Sequence, residues 1–598
     1  MLRGLIAEVL NVPEVGPHDD LFELGGHSLS AIRLLVQIRG EFGVTLQIKE
    51  IFEAPTAAAL AVRLGGGSNG AAGGTAHALV PVARPATVPL SFAQRRLWFL
   101  HKLEGRSATY NVPLALRMSG TVDAAALRAA LCDVVARHES LRTVFPEVEG
   151  EPRQLVLEPA KAEFHWEQQR ISGPELPRAL REAARHGFDL ATETPLRAQL
   201  FHTGPDESTL LLLLHHIAAD GWSMAPLARD VMKSYAARTE GRAPEWSELS
   251  VQYADYALWQ RERLGDTSDP ESAYARQVSF WQETLQNLPP EVTFPTDRPR
   301  PAVPTYEGAR LDLHLDGELH RRIVELAQAS GSTVFMVLQA GMAALLTRLG
   351  AGHDIPLGSG VAGRTDEALD DLVGLFVNTF VLRTDTSGDP TFEELLHRVR
   401  DTSLAAYAHQ DVPFEHLVEL LNPHRTTSHH PLFQVAMVLQ NVPREEFRLP
   451  ELQVRSEFIG TGTSRFDVLI EMYERHGASG DPEGIQIHAE FSTDLFDGES
   501  VEGFLARWVG LLEQVVVDPL VPLGRLEVVT GVERERLLGA WSGSAVAVPE
   551  AGLVELFEQS VRRSSGAVAV ECGHRSLTYG ELNGRANRLA RWLVSRGV

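Results

Sequence analysis

Residues 210–223 read LLLLLHHIAADGWS, five leucines running into two histidines, with an aspartate four residues after the second. The leucine run predicts a buried strand, and the polar residues after it can simply mark where that strand meets solvent. A second reading is chemical. An imidazole and a carboxylate four residues apart at a strand end can share one loop, with Gly221 permitting a tight turn and close approach of a substrate. Histidine is the side chain whose ordinary pKa lies nearest neutrality. Because successive strand residues face opposite sides, His215 and His216 are expected to point apart, His216 into the site and His215 away from it.

Working outward, the 598 residues are too many for one ordinary domain, and three or four units are expected. Apolar residues make up 44% and charged residues 22%, close to the globular average, so the chain is folded rather than disordered. A formal net charge of -24 repels nucleic-acid backbones and anionic membranes, so neither is an expected partner. The apolar runs fall far below the roughly 20 residues that span a bilayer, and no signal-type segment opens the chain. A bacterial cytoplasmic monomer is the expectation. Cys132 and Cys572 are far apart, which leaves no disulfide framework and no metal site, and Cys132 is expected to be a small buried side chain in a helix carrying Leu127, Leu131, Val134 and Val135.

Three stretches punctuate the chain. Helical periodicity in Leu2, Leu5, Ile6, Val9 and Leu10, again from Leu29 through Val36, and in TAAALAVRL after Pro55 with Thr56 as N-cap, predicts a small helical unit over 1–66 that begins abruptly, as if truncated. GGGSNGAAGGT (65–75) starts a flexible linker over 67–88. Mixed helical and strand-like runs then predict an α/β body in two lobes, 89–265 and 266–530, with the break in the polar, Pro-rich stretch at 265–305 and LVGLFVNTFVLRT read as a strand. After a linker over 531–550, residues 551–598 read helix, strand, turn, strand, helix.

Ser28 follows Gly25-Gly26-His27 and opens an amphipathic helix. It can be an ordinary N-cap, or a hydroxyl whose phosphate ester is favoured by the helix N-terminus, the glycines giving room to a bulky partner. LFELGGHSLSAIRLL (21–35) resembles the core motif of the carrier proteins of modular synthetases. The resemblance implies a four-helix carrier bundle, N-terminally truncated here, with 4'-phosphopantetheine on Ser28 holding an aminoacyl or peptidyl thioester.

His216 through Gly221 resembles the HxxxDG signature of chloramphenicol acetyltransferase-like acyltransferases, and with His215 the HHxxxDG of nonribosomal peptide synthetase condensation domains. SFAQRRLWFL (91–100), RHESLRTVF (137–145), YADYALWQ (253–260), VGLFVNTFVLR (373–383), HQDVPFEHLV (409–418) and RTTSHHPLFQV (425–435) each resemble a condensation motif, in order. LTYGEL (577–582) is similar to the first motif of an adenylation domain, whose phosphate-binding loop does not follow.

The resemblance implies two chloramphenicol acetyltransferase-like lobes in a V shape and peptide-bond formation between a donor thioester on this carrier and the amine of an aminoacyl thioester on a downstream carrier. Amino-acid activation then falls to an upstream adenylation domain that loads the carrier, and installation of the arm to a phosphopantetheinyl transferase. His216 is expected to orient the amine and take its proton late, or to stabilise the tetrahedral intermediate, and Asp220 to hold the loop. Arg96 and Arg142 are candidates to pair with Asp220, because a buried carboxylate needs a cation or donors. Asn378 is a candidate polar group facing the substrate tunnel. The companion motifs are expected to be mostly architectural. An epimerisation domain, which shares HHxxxDG, and a non-catalytic recruitment module are the alternatives; heterocyclisation is disfavoured by the intact histidines.

Overall fold

In the computed structural model, which describes all residues except 11, 23, 27, 45, 67–78, 266–268, 422–427, 441–447, 450–451, 478–479 and 544–546, the five leucines end the strand Glu207–His215. Leu210, Leu212 and Leu214 pack on one side with the helices Ala124–Arg137 and Met224–Thr239, while Leu211 and Leu213 pack on the other with Leu97, Tyr253 and Tyr256. The strand is covered on both faces, which is why its sequence is a continuous apolar run rather than an alternation. Each leucine so buried contributes about 1.5–3 kcal/mol relative to an exposed one.

This strand is central in a six-stranded sheet ordered Arg448–Leu449, Leu452–Phe458, Asn111–Ser119, Glu207–His215, Leu196–His202, His165–Arg170. A second six-stranded sheet runs Asn378–Asp385, Asp354–Val361, Val435–Leu439, Val468–His476, Pro482–Ser492, Gly308–Leu315. The lobes therefore do not divide the chain at 265–305 alone. Residues 452–458 come from the second half yet pair antiparallel with Asn111–Ser119, completing an edge that would otherwise present unpaired backbone. The run 372–384 is also only partly a strand. Pairing begins at Asn378, and Leu372, Leu375 and Phe376 form a loop buried in the core of the first lobe, which their apolar character made look like sheet.

The carrier unit comprises α1 (Leu2–Leu10), α2 (Ser28–Phe42), α3 (Ile48–Glu53) and α4 (Ala57–Gly66). Ile6, Leu21, Leu34, Ile38, Ile51 and Leu60 form its core, all fully buried. Thr56 caps α4 by accepting from the N–H of Ala59 at 3.2 Å. The periodicity did not predict α3, whose six residues are too few for a helical repeat; it is stabilised by the N–H of Gln47 donating to Glu50 at 2.7 Å.

Of the expected linker, residues 67–78 lie outside the described residues, and the remainder is no free tether. Leu79 is buried in the core of the first lobe, and Arg84 pairs with Glu139 at 2.6 Å and Asp255 at 3.2 Å. Cys132 is exposed, contrary to expectation. Its helix buries Leu127, Leu131, Val134 and Val135 as predicted, and one residue on from Leu131 the helix has turned by about 100°.

Val529–Val598 forms a separate unit. In it the helix Leu553–Arg563, the hairpin Val568–Cys572 with Arg575–Thr578, and the helix Tyr579–Ser595 follow in the predicted order. Thr578 of LTYGEL caps the last helix, accepting from the N–H of Glu581 at 3.2 Å. No single helix among the described residues is long and apolar enough to cross a membrane.

Candidate active site

The strand Glu207–His215 delivers the turn that follows it to a cavity of about 1680 Å3 whose wall includes His216, Gly221 and Trp222. The N–H of His216 donates to the carbonyl of Tyr110 at 2.8 Å, fixing the turn against the neighbouring strand. Burial, and then the charge of Arg465, push the His216 imidazole down to about 4 against the opposing pull of Asp220. The ring is thus neutral near pH 7 and able to accept a proton. Its Nδ1 is buried without a hydrogen-bond partner.

His215 does point elsewhere. Its Nδ1 accepts from the N–H of Ile217 at 3.1 Å, and its ring meets the edge of Phe188 at 5.7 Å. Burial pushes it down to about 3. His215 therefore acts as a neutral tie across the turn.

Asp220 is fully buried. One carboxylate oxygen accepts from the N–H and hydroxyl of Ser223 at 2.9 and 2.8 Å, and the other from the N–H of Phe376 at 2.9 Å. Its cation is neither Arg96 nor Arg142 but Arg364, at 3.4 Å. Arg364 also donates to the carbonyls of Leu369 and Leu372 and stacks 4.2 Å from the Phe376 ring centroid. Arg142 is engaged by the carbonyl of Leu157 and by Glu139, and Arg96 lies over the ring of Phe414 at 5.0 Å. Sequence reasoning missed Arg364 because it lies 144 positions after Asp220 and outside the motifs. No spacing in the sequence marks it; in the structure the preceding Gly363 has φ +67° and is packed so tightly against the Phe376 carbonyl that no Cβ would fit.

Gly221 has no left-handed backbone, so the turn it opens does not require glycine for its conformation. It starts a short 3-10 turn, and a Cβ there would lie 3.6 Å from Gln440 at the cavity wall. Asn378 lines the cavity as expected, but its amide is used in holding the fold: it donates to the carbonyls of Gln410 and Val412, both at 2.8 Å. The companion motifs buttress the loop. Ser91 caps the helix Phe92–Glu104 and bonds Tyr253 Oη at 2.8 Å, Tyr253 donates to the carbonyl of Leu375 at 2.6 Å, and Gln94 donates to that of Ile217 at 3.3 Å. Residues 425–427 of RTTSHHPLFQV lie outside the described residues.

Among the described residues, one group has metal-ligand composition: His320, Glu474 and His476, with ligand atoms within 4.8 Å of one another. His320 Nδ1 accepts from the N–H of Gly484 at 3.2 Å, which puts its proton on Nε2 facing Glu474 at 3.1 Å. The lone pair that a metal needs is therefore engaged.

The carrier borders the same cavity. Val12, Phe22, Leu24, Gly25 and Gly26 stand in its wall with His216. Arg33 on α2 lies 5.8 Å from the Trp222 ring centroid and 3.8 Å from Asp370, in the loop that Arg364 holds. Gly25 and Gly26 therefore bring the start of α2 to the cavity, and a side chain at Gly26 would collide with the carbonyl of Leu21. His27 lies outside the described residues.

A family model described as the condensation domain matches residues 85–538, most of the chain. The chain belongs to the condensation-domain family. Ahead of its condensation domain, residues 2–64 match the model described as the phosphopantetheine attachment site. CymA of Salinispora arenicola, named a probable non-canonical nonribosomal peptide synthetase, is 54% identical over all of this chain, which corresponds to 8% of that protein. A dimodular nonribosomal peptide synthase of Bacillus subtilis is 50% identical over all of this chain and 25% of its own length. The chain thus spans a quarter or less of these curated relatives. The condensation fold also matches the X-domain of teicoplanin biosynthesis in complex with OxyB, at TM-score 0.71 and 35% identity over 76% of this chain and 99% of that one.

Proposed function

We propose that this carrier and condensation domain form a peptide bond, with Ser28 bearing the arm that delivers the donor and His216 the residue at which donor and acceptor meet. One observation carries this reading: Gly25 and Gly26, three and two residues before Ser28, share the wall of a single cavity with His216. Ser28 is the first residue of a 15-residue helix, whose free N–H groups favour a phosphate ester. The 4'-phosphopantetheine, when attached, supplies a thioester on a long flexible tether.

The residues divide the work as follows. An α-amino group titrates near 7.7–8.0, so about a third of the acceptor amine is already neutral at pH 7.5. A neutral imidazole with pKa about 4 is a weak base. His216 therefore positions the attacking nitrogen and collects its proton once the C–N bond has formed, and confinement of two tethered reactants supplies much of the acceleration. Asp220, Ser223 and Arg364 keep the loop in place. The acceptor would arrive on a downstream carrier, with an upstream adenylation domain charging Ser28's arm after a phosphopantetheinyl transferase installs it.

The test is a two-carrier assay. Treatment with a phosphopantetheinyl transferase and coenzyme A should raise the mass of the wild type and leave Ser28→Ala unchanged. With both carriers loaded, His216→Ala should lower single-turnover dipeptide formation by about 10- to 10⁴-fold; an unchanged rate refutes the role of His216. The X-domain likeness favours one second reading, a recruitment module, which predicts no dipeptide at all.

A further inference from the structure

Arg465 lies in the loop that leads into the strand Val468–His476 and lines the same cavity as His216. Its guanidinium is 5.6 Å from the ring centroid of Tyr110, whose carbonyl holds the His216 N–H, and 5.9 Å from that of Phe466. No hydrogen bond or ion pair occupies its donors among the described residues, in contrast to Arg300 in the same wall, which is paired with Asp467 and Glu291. Glu490, the carboxyl set against this loop, accepts from the main-chain N–H of Arg465 and from Ser464, not from the guanidinium, and burial pushes it up to about 7, so near neutral pH it is only partly ionised. The loop is itself fixed: the N–H of Ser464 donates to the carbonyl of Tyr306 at 2.9 Å, and that of Gly308 to the carbonyl of Gly462 at 2.9 Å. A rigidly mounted cation with free donors, in a cavity wall beside a neutral histidine, suits negative charge that appears only during a reaction.

We propose that Arg465 is a catalytic residue of peptide-bond formation, donating hydrogen bonds to the carbonyl oxygen of the donor thioester as that oxygen becomes an oxyanion. This rests on the peptide-bond reading above. In the step it serves, the acceptor amine nitrogen forms a bond to the thioester carbon, and the carbonyl π electrons move onto oxygen. The nitrogen then gives a proton to His216. When the adduct collapses, the oxygen electrons re-form the carbonyl and the carbon–sulfur bond breaks. Sulfur leaves as a thiolate and recovers the proton from His216. Charge on oxygen exists only between the two bond changes, so Arg465 should affect turnover and leave substrate binding unchanged.

The experiment uses the whole chain, its own carrier loaded with donor, a loaded acceptor carrier added in trans, and the variants Arg465→Met, Arg465→Gln and Arg465→Lys. Loss of an oxyanion donor typically lowers kcat by about 10²–10³-fold. The expected result is such a loss in the Met and Gln variants, an unchanged KM for the acceptor carrier, and retention of a larger share by Lys. Calorimetry gives a second readout. A pantetheine phosphonate, an anionic tetrahedral mimic, should bind the Met and Gln variants at least about tenfold more weakly than wild type, while the neutral pantetheine ketone binds all equally. A kcat within about threefold of wild type in either neutral variant, or equal loss of affinity for both probes, overturns the proposal. Absence of dipeptide from the wild type would instead overturn the peptide-bond reading, and the contrast between the two probes would still decide whether Arg465 receives an oxyanion.

Discussion

Replacing Asp220 by Asn tests the claim that this residue holds the loop rather than performs chemistry. Both carboxylate oxygens face donors: Ser223 N–H, Ser223 hydroxyl and Arg364 on one side, Phe376 N–H on the other. An amide has one oxygen. Whichever way it turns, its NH2 meets a donor, and Arg364, whose side chain is 3% exposed, loses its carboxylate. Removing one partner of a buried ion pair costs about 3–5 kcal/mol. A body spanning residues 85–538 should have an unfolding entropy near 1 kcal/mol/K, so each kcal/mol lowers Tm by about 1 °C. Calorimetry of Asp220→Asn should therefore show the main transition about 3–5 °C lower. Adding Arg364→Met removes the stranded charge and should recover part of the loss, though not all, since Arg364 also satisfies Leu369 and Leu372 carbonyls. A Tm within about 1 °C of wild type, or a double variant whose loss equals the sum of the singles, refutes the reasoning.

Other outcomes follow from the same geometry. Because His216 remains neutral down to about pH 4, the condensation rate should fall with decreasing pH along the titration of the acceptor amine near 7.7–8.0; an inflexion near pH 6.5 that disappears in His216→Gln would show an ordinary histidine instead. His215 and His216, held at about 3 and about 4, bind fewer protons folded than unfolded below pH 6.5. Their contribution to stability is thus present above pH 6.5 and lost as pH falls toward 4, and Tm measured across that window should drop less steeply in His215→Gln. Gly26→Ala places a Cβ 2.4 Å from the Leu21 carbonyl, so the carrier transition should move down while the condensation transition stays. Arg33 and Asp370 are half-exposed at 3.8 Å, so Arg33→Glu should raise the KM for a donor carrier supplied in trans by only a fewfold, and Asp370→Arg should reverse it.

The local pattern by itself determined a great deal. Leucines without alternation declared a strand buried on both faces, helical spacing declared α1, α2 and α4, and the order of motifs pointed to a carrier followed by a condensation body. Those features depend on which residues sit next to one another, and neighbour spacing is what a sequence displays directly. The tertiary structure decided the rest. Asp220 meets Arg364 rather than Arg96 or Arg142 because a loop from the second half of the chain is folded beneath the first, a contact that no spacing encodes. The strand Leu452–Phe458 crosses to the first sheet because Asn111–Ser119 needs an edge partner. Arg465 stands outside every motif, and only the closure of two lobes around one cavity sets its unpaired charge beside a neutral His216.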